Sequence, residues 1–149
     1  MYTDLETFLS MFDFEEYDYF YHQTNQGTGE EILETGLLVE GSNILEVDNL
    51  IYTTTIELKP SDIEDIPTFL DFLKDHEFYT QFRDTLEMVF IVAPKAYDKE
   101  IVEGYDHFVN GTFYRGIIQP EHILGYINVL TQEVTLNEYC DYKKDPFIY

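Results

Sequence analysis

One aromatic stretch, Tyr17 to His22 (YDYFYH), constrains the fold more than any other part of the chain. Four of its six residues are tyrosine or phenylalanine, and aromatic side chains favour β-strands. A strand with this much apolar surface must be covered by other elements. The chain has 149 residues, of which 44 % are hydrophobic, which suffices for a core of that kind. We therefore predict a buried strand that ends at His22.

A turn and a short helix are predicted directly after this strand. Asn25-Gln26-Gly27 has typical turn composition. Thr28 and Glu31 have the spacing of a capping box, in which each side chain bonds the backbone amide of the other residue. Gly36 stands where a helix commonly ends in a left-handed residue. The predicted helix has barely two turns and must pack on the sheet to be stable.

The remaining patterns predict an α+β domain. Thr3 and Glu6 form another capping-box pattern ahead of an apolar periodicity, and Asn110-Gly111 is typical of a two-residue hairpin turn. Helices are predicted over 3–14 and 67–76, and Ser61 and Glu64 mark a helix start before the second one. Strands are predicted over 50–56, 86–92, 123–130 and 134–136. We expect one domain over 1–149, with 141–149 as a peripheral acidic tail.

The charge limits the classes of partner. Thirty Asp and Glu face eight Lys and Arg, giving a formal net charge of −22. Too few cations are present to bind duplex nucleic acid through a basic patch, and anionic membrane surfaces are disfavoured for the same reason. A basic protein partner is favoured. The alternative interpretation is a solvated acidic surface whose effect is solubility.

Cysteine and hydropathy patterns predict a cytoplasmic protein without metal. Cys140 is the one cysteine, so no intramolecular disulfide can form. We expect no signal peptide and no membrane span, since no apolar run approaches about 20 residues. The histidines at 76, 107 and 122 lack metal-ligand spacing.

Three motifs occur in the order found in one enzyme family. They are Tyr21-His22-Gln23-Thr24, followed by a helix closed at Gly36; Ile51-Tyr52-Thr53-Thr54; and Ile118-Gln119-Pro120-Glu121-His122-Ile123. This arrangement resembles the ADP-ribosyltransferases of the diphtheria-toxin and poly(ADP-ribose) polymerase type. The resemblance implies split antiparallel β-sheets with short flanking helices. It also implies NAD as co-substrate and ADP-ribose transfer to a macromolecular acceptor.

The resemblance also implies roles for individual residues. Glu121 would stabilise the oxocarbenium-like transition state, as glycosidase carboxylates do. His22 would bind the adenosine-side ribose of NAD, and Tyr52 would stack on nicotinamide. The residues expected to support the cofactor are Gln23, Thr24 and Thr53, and Arg115 is a cation available for the pyrophosphate.

A second hypothesis is a catalytically inactive acidic protein that binds or inhibits a basic partner, for example as a mimic of nucleic acid. It is favoured by the charge and by Gln23, which stands where the family pattern has glycine. On this hypothesis His22 is a structural histidine at a strand end. The order of the three motifs favours the enzyme, and the charge favours the binding protein.

Overall fold

A computed structural model describes most of the chain. The described residues are 2–24, 27–36, 44–47, 50–74, 87–94, 99–101, 112–115 and 118–140. The helices are α1 (Leu5–Ser10), α2 (Thr28–Thr35) and α3 (Ile66–Lys74), with 3-10 helices at Pro60–Ile63 and Pro120–His122. The strands are β1 (Tyr2–Thr3), β2 (Tyr17–Thr24), β3 (Ile44–Val47), β4 (Leu50–Leu58), β5 (Glu87–Pro94), β6 (Lys99–Ile101), β7 (Thr112–Arg115), β8 (Ile123–Asn128) and β9 (Val134–Leu136).

The nine described strands form one sheet. Its order is β1-β9-β8-β5-β2-β4-β7-β6, and β3 pairs with β4 beside this path. Every described pairing is antiparallel. The α+β class predicted from the sequence is therefore confirmed. The predicted aromatic strand becomes β2, which lies between β5 and β4 in the middle of the sheet.

One face of the sheet packs against α1 and α3. Because side chains alternate along a strand, the odd-numbered tyrosines of β2 share this face. Phe8 from α1 and Phe69 from α3 meet Phe90 of β5 here, and all three side chains are fully buried. The ring centroids of Phe8 and Phe90 lie 5.2 Å apart in an edge-to-face arrangement, which is favourable for aromatic pairs.

The opposite face is covered by α2. Ile32 and Leu33 of this helix belong to a second buried cluster, together with Phe20 of β2 and Val89 and Ile91 of β5. β5 is thus buried on both sides, between α1 and α3 on one face and α2 on the other. This arrangement explains why β5 is apolar at every position after Glu87.

Both predicted capping boxes are wrong, although helices form where they were expected. Helix α1 covers Leu5–Ser10 instead of 3–14, and its N-cap is Asp4, whose carboxylate accepts the amide of Thr7 at 2.7 Å. The N-cap of α2 is Gly27, and no side chain caps this helix. Asp4 caps α1 in place of the expected Thr3, and Gly27, in the left-handed conformation, stands at the N-cap of α2 in place of the expected Thr28.

The ends of the other helices and strands lie close to the predicted positions. Ser61 lies within the 3-10 helix at Pro60–Ile63 and Glu64 is its C-cap, so these residues do not start an α-helix. Helix α3 begins at Ile66, one residue before the expected start. The predicted strand at 134–136 is confirmed. The strand predicted over 123–130 is β8, which ends at Asn128, two residues before the predicted end. The Asn110-Gly111 turn and the 141–149 tail lie outside the described residues.

Acid is expected to weaken α1 and α3 through their capping aspartates. The backbone amides of Thr7 and Thr68 donate to Asp4 and Asp65 at 2.7 and 2.8 Å, which lowers the pKa of each carboxyl below its ordinary value of 3.8. A pKa that is lower in the folded state gives stability that is complete above the unfolded value and is lost as pH falls through the folded value. We expect the free energy of unfolding to fall as the pH drops through the range below about 4.

The matched comparison is a variant with both aspartates changed to asparagine, which caps helices without titrating. Its urea midpoint, followed by circular dichroism, should change less with pH in that window than the midpoint of the wild type. Glu16→Gln, at an exposed turn position, should follow the wild type. Equal pH slopes for the wild type and the doubly substituted variant would contradict the prediction.

Candidate functional site

The first predicted motif lies at the end of β2. His22 is buried, with 4 % of its surface exposed, and is level with Val89 of β5. It shares the α2 face of the sheet with Phe20 because the two residues are two positions apart. Gln23 is level with Met88. Thr24, the last residue of the strand, is partly buried.

The second motif lies on the adjacent strand. The backbones of Tyr52 and Thr53 are part of β4, which pairs with β2 on one side and β7 on the other. Arg115, the cation predicted to meet a pyrophosphate, is the register partner of Tyr52 on β7. The structure therefore brings the predicted tyrosine and arginine to neighbouring positions in the sheet.

Glu121 lies in the 3-10 helix that precedes β8. Its side chain is 54 % exposed, and its carboxylate oxygen is 3.8 Å from a ring nitrogen of His122. Asn137 fixes this segment: its buried amide donates to the carbonyls of Pro120 and Ile123, both at 2.9 Å. Glu121 is thus held at the surface by an ordered backbone.

The sheet register separates Glu121 from His22. His22 is level with Val89, whereas His122, the neighbour of Glu121, lies 3.2 Å from the carbonyl oxygen of Val92. His22 and Glu121 are therefore three residues apart along the strand direction, which is about 10 Å, and two strand spacings apart across the sheet, which is about 9.6 Å. The backbone of Glu121 is therefore on the order of 14 Å from that of His22.

Tyr52 lies on the other side of His22. Ile56 is level with Tyr21, and Tyr52 is four residues away from Ile56 on β4, about 13 Å along the strand. β4 and β8 flank β2 and β5 from opposite sides, so His22 lies between Tyr52 and Glu121. The structure does not gather the three residues around one point, and their joint catalytic role stays a prediction.

A different group of polar side chains surrounds a pocket on the α2 face. This acidic pocket has a volume of about 210 Å³ and a mostly polar lining. It lies where β1, β9, β8 and β5 are neighbours in the sheet, next to the turn that joins β8 to β9. The lining consists of Tyr2, Glu87, Tyr126, Asn128, Thr131, Glu133 and Thr135.

Glu87 is the buried carboxylate of the acidic pocket. It is the first residue of β5, with 5 % of its surface exposed. One of its oxygens accepts the backbone amide of Gly29 at 2.7 Å, in the first turn of α2, where the helix dipole favours negative charge. Only glycine fits at position 29, since an added Cβ would lie 2.7 Å from that oxygen and 2.9 Å from Cγ of Tyr126.

Tyr126 forms the aromatic side of the same pocket. Burial is the main factor that raises the pKa of Tyr126, and the nearby carboxylates of Glu87 and Glu30 raise it further, while a hydrogen bond with the Thr135 side chain opposes them. The tyrosine is therefore neutral at physiological pH. The ring and the two carboxylates mark a region of negative potential beside α2.

Sequence patterns gave little indication of this pocket. Its lining comes from four strands and one turn that are separated by up to 133 positions, from Tyr2 to Thr135. One local signal exists: Glu87 is a charged residue inside the predicted apolar strand 86–92. A charge within a buried strand requires a partner or a function.

Other kinds of site receive no support in the described part of the chain. No group of three His, Cys, Asp or Glu side chains there could hold a metal ion. No described helix has the length and apolar character needed to cross a membrane. No family model, no curated protein and no solved structure matches the chain.

Proposed function

We propose that this chain is an acidic binding protein whose partner is a protein with a basic surface. The observation that carries the proposal is the acidic pocket, in which Glu87 and Glu133 are present and no lysine or arginine is among the described residues of the lining. The surrounding sequence supports it, since 1–58 and 116–142 contain no lysine or arginine. Charge of one sign attracts an oppositely charged partner and increases the rate of association.

The size of the pocket also favours a binding role. Sites for drug-sized ligands and cofactors are about 300–1,000 Å³, whereas this pocket is about 210 Å³. It can hold a single side chain of a partner more readily than a dinucleotide. The carboxylates at its wall select for positive charge.

A short peptide of alternating arginine and lysine is expected to bind the intact protein at low ionic strength. The affinity should weaken about tenfold on passing to physiological ionic strength, where the Debye length is about 8 Å. Isothermal titration calorimetry measures both values. A glutamate peptide of the same length is the control, and it should give no binding heat.

Two results would contradict this proposal. One is the absence of binding by the basic peptide at low ionic strength. The other is an affinity that does not change with salt, because attraction between exposed charges must be screened.

ADP-ribosyl transfer is a second candidate, with an ADP-ribosyltransferase-like fold. The adjacency of β2 and β4 favours it, since these strands carry His22 and Tyr52, and Arg115 is level with Tyr52. NAD would then bind along this part of the sheet. Glu121 lies on the opposite side of His22 from Tyr52, so its role in the transition state is supported by the resemblance alone. Calorimetry with NAD tests the candidate: binding should be lost in His22→Ala and retained in Glu121→Gln. Absence of binding at millimolar NAD would leave the basic-partner proposal alone.

A further inference from the structure

The charged side chains in the lining of the acidic pocket are hydrogen-bond acceptors. One oxygen of Glu87 accepts the amide of Gly29, and its second oxygen accepts no hydrogen bond from any described residue. The Oδ1 atom of Asn128 already accepts two turn amides at 3.0 and 3.1 Å. The hydroxyl oxygen of Thr131 accepts the amide of Glu133 at 3.3 Å. Asn128 and Thr131 keep neutral donor groups. The charged groups that face a ligand are the carboxylates of Glu87 and Glu133, and they favour a cationic donor.

The walls of the pocket distinguish between cations. Tyr126 and Tyr2 both belong to its lining, so a ligand lies beside aromatic rings as well as carboxylates. A guanidinium group is planar, stacks on aromatic rings and donates two parallel hydrogen bonds to a carboxylate. A lysine ammonium is more strongly hydrated and lacks this planar geometry. Aromatic rings and carboxylates in one pocket therefore favour arginine over lysine.

The rim of the pocket has the character of a protein interface. Tyr2 is 72 % exposed and Leu130, in the turn that carries Thr131, is 71 % exposed. Tyrosine is enriched in protein interfaces and at their hot spots. A ligand presented by a protein surface would cover both side chains.

We propose that the acidic pocket is the receptor for one arginine side chain of the basic partner, with Glu87 as the residue that pairs with the guanidinium. This inference rests on the proposed function and names the group that the partner inserts. Tyr2 and Leu130 would pack against the partner's backbone and neighbouring side chains.

The test compares oligoarginine with oligolysine of equal length, each titrated into the full-length protein by calorimetry. We expect the wild type to bind oligoarginine about tenfold more tightly, since charge-assisted bidentate pairing adds to general attraction. Glu87→Gln should remove this preference, because the amide keeps an oxygen for the Gly29 amide but loses the charge. Glu64→Gln, an exposed change of equal charge next to the 3-10 helix at Pro60–Ile63, should retain the preference.

A second measurement on the wild type does not depend on the folding of any variant. The backbone amide of Gly29, which donates to Glu87, should shift in a ¹⁵N–¹H spectrum when oligoarginine is added. The same signal should move much less with oligolysine at equal saturation.

The outcomes separate the two levels of the proposal. Binding of both peptides with equal affinity, or an unmoved Gly29 signal, overturns the arginine receptor while the basic-partner function stands. Absence of binding by either peptide overturns the basic-partner function itself. An arginine preference that persists in Glu87→Gln overturns the role given to this carboxylate.

Discussion

Replacing Phe90 with alanine is expected to lower the free energy of unfolding by about 4 kcal/mol. Phe90 is fully buried in the middle of β5, and its ring lies 5.2 Å from that of Phe8 and 6.2 Å from that of Phe69. Removing the ring loses its transfer free energy and leaves a cavity between the sheet, α1 and α3. The large side chains around it can only partly fill that space.

Urea unfolding followed by far-ultraviolet circular dichroism measures this loss. Tyr139→Ala is the control, since Tyr139 is 51 % exposed and its removal should cost less than about 0.5 kcal/mol. Phe90→Leu retains most of the side-chain volume, so its loss of unfolding free energy should lie between those of Phe90→Ala and Tyr139→Ala. A loss below about 1 kcal/mol for Phe90→Ala would mean that the α1 and α3 face is not the main core.

The strands could be predicted because their composition is local information. β2, β5 and β9 were all expected from aromatic and β-branched residues, and their observed positions agree within two residues. Helix starts were less predictable, because Thr3 and Asp4 are both good caps. Thr3 belongs to β1 and pairs with Val134 of β9, and Asp4 caps α1. A strand pairing that is distant in the sequence therefore contributes to where the helix begins.

The positions of site residues could not be predicted, since they depend on strand order and register. The sequence carries the motifs of Tyr52 and Glu121, but not the fact that β4 and β8 lie on opposite sides of the pair formed by β2 and β5. Alternation along β2 predicts that His22 shares a face with Phe20. It does not reveal which face is accessible, because helices cover both faces and each of the two sets contains buried aromatic side chains.

The acidic pocket could not be predicted either, because it too depends on strand order and register. Tyr2 and Thr135 are register partners, yet nothing near Tyr2 in the sequence indicates a two-residue strand. Tyr126 and Thr135 are also partners, so the pocket is assembled by two successive pairings across β8, β9 and β1. The proposed cationic ligand agrees with the composition, because an excess of acids favours a cationic partner wherever the site lies.

Replacing Gly36 with alanine is expected to cost about 3 kcal/mol. Gly36 ends α2 with φ 77° and ψ −175°, a region of backbone space that is essentially restricted to glycine. A Cβ at this position would also collide with the carbonyl oxygen of Ile118 and would lie 3.1 Å from Cδ of Pro120. The backbone strain and the collision act together, so α2 must move away from the segment that leads into β8.

Gly27→Ala is a matched control for the strain alone. Gly27 also has positive φ, at 89°, but a Cβ there would meet no atom of a described residue within 4 Å. Its replacement should cost about 1 kcal/mol, and the difference from Gly36→Ala isolates the contact with Ile118. Urea unfolding gives both values. Similar losses for the two variants would show that the end of α2 is not seated against Ile118.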